Sequence, residues 1–282
     1  MNKPKPLVKW VGGKRQLLNK LIEYMPKKLN KNFTYYEPFV GGAALLFELT
    51  PKNAVINDIN QELVNVYRVM CDEIKYNKML IRLRLHQKNN NEDYYYKIRS
   101  QDRNKRSFNK LSDWGKAART IYLNKTCFNG LYRVNRTGHF NVPYNGKEKV
   151  VTYDLSNIEV MHEYFKSNKV KIFSEDFELI VQTAKKGDLV YFDPPYDPID
   201  DKASFTSYTK FGFNKDDQIR LSKIFNDLSK KGVYVMASNH NTILIRELYK
   251  DFNIHIVDAK RMINSDANNR GNVEEVIITN YE

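Results

Sequence analysis

The stretch Asp193-Pro194-Pro195-Tyr196 follows directly on the apolar run Leu189-Val190-Tyr191-Phe192. The run is rich in β-formers and predicts a buried strand. Two prolines cannot donate to a sheet ladder, so the strand must end at Asp193. In open α/β sheets, ligands collect at the carboxyl ends of strands. A carboxylate there accepts hydrogen bonds from an amino group, and so does a carbonyl of the Pro-Pro backbone. The Tyr196 ring offers a stacking face for a planar base. The alternative is a plain strand exit with a capping Asp, which is all that an isolated Asp-Pro would mean.

Further strand ends carry residues of the same kind. Phe33 to Ala43 reads as strand and glycine turn, leading into a helix from Ala44 to Leu49. Glycines in that turn let the backbone approach a bulky ligand. Ala54 to Asn60 predicts a second strand, closed by Asp58. An acid at that place takes the hydroxyls of a ribose. Either Asp58 or Asn60 could instead cap the next helix, which leaves the other for a ligand. Val170 to Phe173 predicts a short strand followed by Ser174-Glu175-Asp176-Phe177. Asp176 and Phe177 suit the amine edge and the face of an adenine ring, unless Ser174 or Asp176 simply caps a helix. Ser238-Asn239-His240-Asn241 lies at the end of a strand from Val233 to Ala237. His240 could act as acid or base, although a capping cluster is the simpler reading.

These ends need a frame. The chain has 282 residues and is 41% hydrophobic, enough for one large domain or one domain with a substantial insertion. Strand–helix alternation gives the α/β class. From Glu62 to about Thr126 the pattern is mostly helical, and Tyr94, Tyr95 and Tyr96 read as core. An amphipathic helix spans 214–231, and strands over Ile254–Val257 and Val273–Thr279 finish the sheet. The stretch from Asp197 to Phe213 lacks periodicity, as a lid or a disordered loop would, and Asn264 to Asn272 reads as flexible. No apolar run approaches the ~20 residues of a membrane span, and the N-terminus leads into no signal-like apolar region. Cys71 and Cys127 have no metal-ligand spacing. A reduced, cytoplasmic protein without a metal is expected.

Net charge is +13, from 46 basic and 33 acidic residues. This points to a polyanionic partner, although an Asn/Lys/Ile/Tyr bias along the whole chain contributes. Within 75–136 the basic residues interleave with Tyr and Phe, a mix that grips phosphates and stacks on bases. Lys9-Trp10-Val11-Gly12-Gly13-Lys14 opens a glycine loop that feeds a helix with Leu17, Leu18, Leu21 and Ile22. Such a loop could hold an anion but lacks the spacing of a nucleotide P-loop. Cys127 to Tyr144 has short β-prone pieces around Thr137-Gly138, the pattern of a hairpin. An Arg on a β-ribbon can pair with guanine in the major groove, and Phe128 can wedge into a base stack. An ordinary surface hairpin is the alternative.

From Lys9 almost to the C-terminus, these segments resemble the Dam type of DNA adenine methyltransferase. Asp193 to Tyr196 resembles motif IV of the amino-group DNA methyltransferases. Phe39-Val40-Gly41-Gly42-Ala43 resembles the motif Phe-x-Gly-x-Gly, with Ala43 at the last glycine position. Asn129-Gly130-Leu131-Tyr132-Arg133-Val134-Asn135 followed by Phe140-Asn141-Val142-Pro143 resembles the Dam recognition hairpin. The order of these motifs is that of the alpha group.

The resemblance implies a Rossmann-like, seven-stranded S-adenosylmethionine-dependent methyltransferase sheet with one antiparallel strand, formed by residues 1–58 and 168–282. Residues 59–167 would be an inserted helical and hairpin DNA-recognition domain. The implied reaction moves methyl from S-adenosylmethionine to the N6 amine of an adenine flipped out of double-stranded DNA, within GATC. Asp193, Pro194, Pro195 and Tyr196 would be catalytic. Trp10, Lys14, Glu37, Phe39, Gly41, Asp58, Asp176, Phe177 and Asp193 would hold the cofactor. Lys9, Phe128, Asn129, Leu131, Arg133, Asn135, Asn141 and Pro143 would contact DNA, with Phe128 in the intercalating place usually held by a tyrosine and Arg133 as the guanine reader. A monomer is expected. Two other readings are a non-catalytic DNA-binding module and an RNA methyltransferase. The intact Asp193–Tyr196 motif argues against the first, and the Dam-like hairpin against the second.

Overall fold

A computed structural model of the protein describes residues 2–10, 12, 14, 17–147, 149–199, 212–260 and 272–282. Most of the stretch read as a lid, and nearly all of the second flexible stretch, lie outside these residues.

One seven-stranded sheet organises the chain. Its strands are β1 (Tyr35–Glu37), β2 (Asn53–Asn57), β3 (Lys169–Phe173), β4 (Leu189–Phe192), β5 (Tyr234–His240), β6 (Asn253–Lys260) and β7 (Asn272–Thr279). They lie in the order β3-β2-β1-β4-β5-β7-β6. All pairings from β3 to β5 are parallel, and β7 runs antiparallel between β5 and β6. The chain therefore has the expected sheet with one antiparallel strand. β4 is buried at every position, as a strand covered on both faces must be. Its side chains alternate between two cores. Leu189 and Tyr191 join one, Val190 and Phe192 the other.

The strand order reverses between β1 and β4, so the carboxyl ends of these two strands open the crevice. Glu37 ends β1 and Asp193 follows β4. The N-terminal segment carries α1 (Leu18–Glu23), and the glycine turn after β1 leads into α2 (Ala44–Leu49). β2 leads into α3 (Gln61–Met70), capped by Asn60, whose side chain accepts from Leu63 N. The long connection from α3 to β3 carries α4 (Glu73–Lys88), α5 (Glu92–Arg99), α6 (Lys105–Asn109), α7 (Asp113–Thr126) and α8 (Leu155–Ser167). Residues of α3, α4 and α7 pack into the same core as the sheet. Only α5, part of α7 and the hairpin form a core of their own, around Tyr95, Tyr122, Tyr132 and Phe140. After β3 come α9 (Phe177–Val181), then α10 (Lys215–Lys230) between β4 and β5, and α11 (Ile243–Leu248).

Two expected boundaries move. β5 runs through His240 rather than stopping at Ala237, because Ser238, Asn239 and His240 pair with Ile277, Val276 and Glu275 of β7. β6 runs through Lys260 rather than stopping at Val257, because Asp258, Ala259 and Lys260 pair with Glu274, Val273 and Asn272 of β7.

Candidate active site and neighbouring hairpin

Asp193 emerges from β4 with its side chain only 16% exposed. Its Oδ1 meets Lys14 Nζ at 2.8 Å and accepts from Ser238 Oγ at 2.8 Å. Ser238 Oγ lies 3.0 Å from Tyr191 OH. Burial pushes the Asp193 carboxyl above its ordinary range, and Lys14 and Ser238 pull against it. No described residue hydrogen-bonds Oδ2. Lys14 Nζ also donates to the Gly12 carbonyl at 2.9 Å and stands 4.2 Å from the centre of the Tyr196 ring. Tyr196 OH donates to Glu275 Oε2 at 2.9 Å, and its ring meets His240 edge-on.

The backbone of this turn is held as tightly as its side chains. Gln218 Nε2 donates to the Pro195 carbonyl at 3.0 Å, and Asp197 N donates to Asn239 Oδ1 at 2.9 Å. The Pro194 carbonyl accepts from no described residue. His240 Nδ1 lies 2.7 Å from the Asp197 carbonyl. The capping reading of Ser238 to Asn241 is thus corrected. Thr242 caps α11, and the cluster before it braces the Asp193 turn. Ser238, Gln218, Asn239 and Glu275 are the residues that sequence reasoning missed. The available signal was a polar cluster ending a strand that must lie beside β4.

The glycine turn is built as a close approach. Gly41 has φ +46°, and a Cβ there would come within 3.0 Å of Trp10 Cδ1. The capping place before α3 is taken by Asn60 and not by Asp58. Asp58 Oδ2 accepts from Gly41 N at 3.0 Å and its Oδ1 from Asn60 N at 2.8 Å, so it ties the loop to the start of α3. Burial pushes its carboxyl up to about 6, against those two donors. Glu37 is buried, and its Oε2 has no hydrogen-bond partner among the described residues. Burial raises its pKa well above the usual carboxylate range, and the nearby Asp193 charge adds to this. Phe39 contacts Phe177 at 5.2 Å between ring centres, and Phe213 closes on both. Asp176 is already engaged. It caps α9 and pairs with Arg220 at 2.9 Å, whose guanidinium covers the Phe177 ring.

The structure thus brings Lys14, Glu37, Asp193 and Tyr196 to one edge of the crevice, with Phe39 and Phe177 together on the other face of the sheet. An orphaned carboxyl oxygen, a glycine cradle and an aromatic floor suit a ligand with an ammonium group and a purine ring. The residues fit S-adenosylmethionine.

The hairpin forms as the pattern predicts. Val134 bridges Phe140, and Cys127 bridges Tyr144. Its tip closes at Asn135, whose Oδ1 accepts from Thr137 N and His139 N, with Gly138 at φ +83°. Lys9, Phe128, Asn129, Arg133, Asn135 and Pro143 are exposed, while Leu131 and Asn141 are half-buried. Asn141 Oδ1 accepts from Arg133 Nε at 2.8 Å. Side chains of the helical insertion hold one strand of the hairpin. Tyr95 OH donates to the Val142 carbonyl at 2.8 Å, Arg103 to the Phe140 carbonyl at 2.7 Å, and Phe140 N to Asp102 at 2.8 Å. Buried Asn124 clamps the Lys9 backbone and the Gly130 carbonyl. Trp10 packs on Tyr132, 4.7 Å between ring centres, so the glycine turn and the hairpin share one residue.

A parallel-cored sheet with an acid-bearing turn at its switch point is the frame of an α/β enzyme. The particular family follows from comparison. The chain belongs to the D12 class of N6 adenine-specific DNA methyltransferases, whose family model matches residues 10–263. It is 47% identical over 277 residues to the type II methyltransferase M1.LlaDCHI of Lactococcus lactis subsp. cremoris, covering 98% of this chain and 95% of that protein. It is 41% identical over 290 residues to the type II methyltransferase M.MjaIII of Methanocaldococcus jannaschii, covering 98% and 99%. Identity to the DNA adenine methylase of Escherichia coli K12 is 30% over 278 residues, covering 98% and 95%. The protein is a DNA adenine-N6 methyltransferase with S-adenosylmethionine as cofactor. Among the described residues, no helix is long and apolar enough to cross a membrane.

Proposed function

We propose that the enzyme methylates an adenine flipped out of double-stranded DNA, within GATC. One observation carries this reading: at Asp193, one carboxylate oxygen is engaged by Lys14 and Ser238, while the other, like the Pro194 carbonyl, is bonded by no described residue. Two acceptors match the two hydrogens of an exocyclic amine. Asp193 is too deeply set for a base inside the stack, so the base must leave the duplex.

In this reading Asp193 Oδ2 and the Pro194 carbonyl accept from the amine and turn its lone pair outward. Pro195 keeps the turn stiff, and Tyr196 stacks on the base. Bound S-adenosylmethionine supplies the electrophilic methyl group. Lys14 favours the ionised form of Asp193 against the effect of burial. Glu37 Oε2 receives the cofactor's ammonium, Asp58 its ribose hydroxyls, and Phe39 with Asp176 and Phe177 its adenine, while Trp10 and Gly41 line the approach. Positioning does most of the work, and no side-chain nucleophile is required.

On the DNA, Phe128 occupies the gap left by the flipped base, with Asn129 beside it. Arg133 reads guanine, held by Asn141. Leu131 and Pro143 make apolar contacts, Lys9 reaches the same face, and Asn135 shapes the tip. Residues 59–167 act as the recognition unit of a cytoplasmic monomer. The similarity to two type II methyltransferases favours a modification enzyme of a restriction system.

The test is incubation with labelled S-adenosylmethionine and two duplexes, one with GATC and one with its adenine moved to another context. Label on the first alone is expected. Label on both would discard the hairpin assignment. Label on neither, with cofactor bound, would remove the target sequence.

A further inference from the structure

We propose that Gln218 and Asn239 form a buried amide relay that sets the Pro194 carbonyl and the Tyr196 ring in place, making both positioning residues for methyl transfer. The inference rests on the reading of the Asp193–Tyr196 turn as the amine-binding site. Gln218 lies on α10 and Asn239 on β5, and they are 1% and 2% exposed. Asp197 N donates to Asn239 Oδ1 at 2.9 Å, Asn239 Nδ2 donates to Gln218 Oε1 at 3.1 Å, and Gln218 Nε2 donates to the Pro195 carbonyl at 3.0 Å.

The polarity of this chain is fixed at both ends. A backbone N–H can only donate and a carbonyl can only accept, so one orientation of each amide satisfies all three bonds. The relay joins the residue before Tyr196 to the residue after it, through side chains from two separate elements. Proline fixes φ at 194 and 195, so anchoring the Pro195 carbonyl leaves little freedom at its neighbour. Neither amide bonds Asp193 or the Pro194 carbonyl. Their influence on the reaction passes through the turn.

An acid at either position keeps the shape and reverses one link. Gln218→Glu turns an oxygen toward the Pro195 carbonyl, and Asn239→Asp turns one toward Gln218 Oε1. The experiment is single-turnover methyl transfer at saturating S-adenosylmethionine and GATC duplex, with dissociation constants for both and thermal melting. Each variant should lose roughly 30- to 100-fold in rate, as small misplacements near a reacting centre do, with both dissociation constants within about threefold of the parent. The double variant should be no slower than the slower single one, since both break one relay. If an acid unfolds the protein, Gln218→Met removes the donor without a charge and must show the same loss.

Asp193→Ala is measured alongside. An active Asp193→Ala would remove the reading of the turn itself. An inactive Asp193→Ala beside a full-rate Gln218→Glu would overturn the relay alone. A loss of cofactor affinity as large as the loss of rate would also overturn it, since the amides would then be general supports of the sheet.

Discussion

Lys14 Nζ and Asp193 Oδ1 stand 2.8 Å apart with their side chains 9% and 16% exposed. The pair joins the loop before the first strand to the end of the fourth. Burial raises the Asp193 carboxyl, and Lys14 is first among the groups that lower it. If Asp193 accepts the amine as proposed, it accepts best when ionised, and Lys14 would then act on the reaction through Asp193.

Lys14→Met keeps most of the length of the side chain and removes the cation. Its saturating rate at neutral pH should fall roughly 10²-fold, the usual effect of losing one preorganised electrostatic contact. The acid limb of its pH–rate profile should move to higher pH, since burial would then act on Asp193 with less opposition. An unmoved limb would show that some other group sets it.

Arg133 leans on Asn141 across the hairpin, with a 2.8 Å bond from Nε. Arg133→Ala should cost about 1–3 kcal/mol of discrimination at one base pair. Asn141→Ala leaves the guanidinium present but unheld, and should weaken discrimination at the same base pair by less. The measurement is kcat/KM on the cognate duplex and on duplexes changed at each position. Equal losses on cognate and random DNA would make Arg133 a phosphate contact.

Local signals carried much of this site. Two prolines after an apolar run placed the end of β4, the glycine turn placed α2 at Ala44–Leu49, and an amphipathic pattern over 214–231 placed α10, which spans Lys215–Lys230. Long-range pairings were not legible in the same way. Ser238 and Asn239 read as a cap because nothing local reveals that β7 extends β5 past Ala237. Gln218 read as one polar residue of an amphipathic helix, yet it is buried against the Pro195 carbonyl. The meeting of Lys14 with Asp193 came from neither spacing nor periodicity. Ala43 was legible only as a departure from a motif. Its φ of 59° shows why glycine suits the place, and its methyl is buried in the core.

Asp58 makes a pH test. Its carboxyl is pushed up to about 6 by burial, so the folded protein binds that proton more tightly than the unfolded chain. Stability from this group is therefore greatest below the unfolded value near 4 and falls as pH rises toward 6, by up to about 3 kcal/mol. Ribose hydroxyls donate best to the ionised form, so cofactor affinity should rise with pH across the same window. Asp58→Asn should flatten both trends. Titration calorimetry at pH 5 and 7.5 checks this, and a pH-independent affinity in the parent protein would break the ribose assignment.

Asp102 joins stability to recognition. It is 7% exposed, pairs with Arg103, meets the buried Arg119 at 2.9 Å, and accepts from Phe140 N at 2.8 Å. Arg119 keeps Glu62 at 3.4 Å and two backbone carbonyls, so removing Asp102 leaves a buried cation only partly matched. Asp102→Ala should cost about 3–5 kcal/mol in urea unfolding. It also frees the hairpin strand opposite Arg133 and should relax discrimination at the Arg133 base pair. Asp102→Asn retains an acceptor for the Phe140 amide while losing the charge. It should lose stability but keep most of the discrimination. If both variants lost discrimination equally, the buried ion pair with Arg119, and not the bond to Phe140, would be what sets the hairpin.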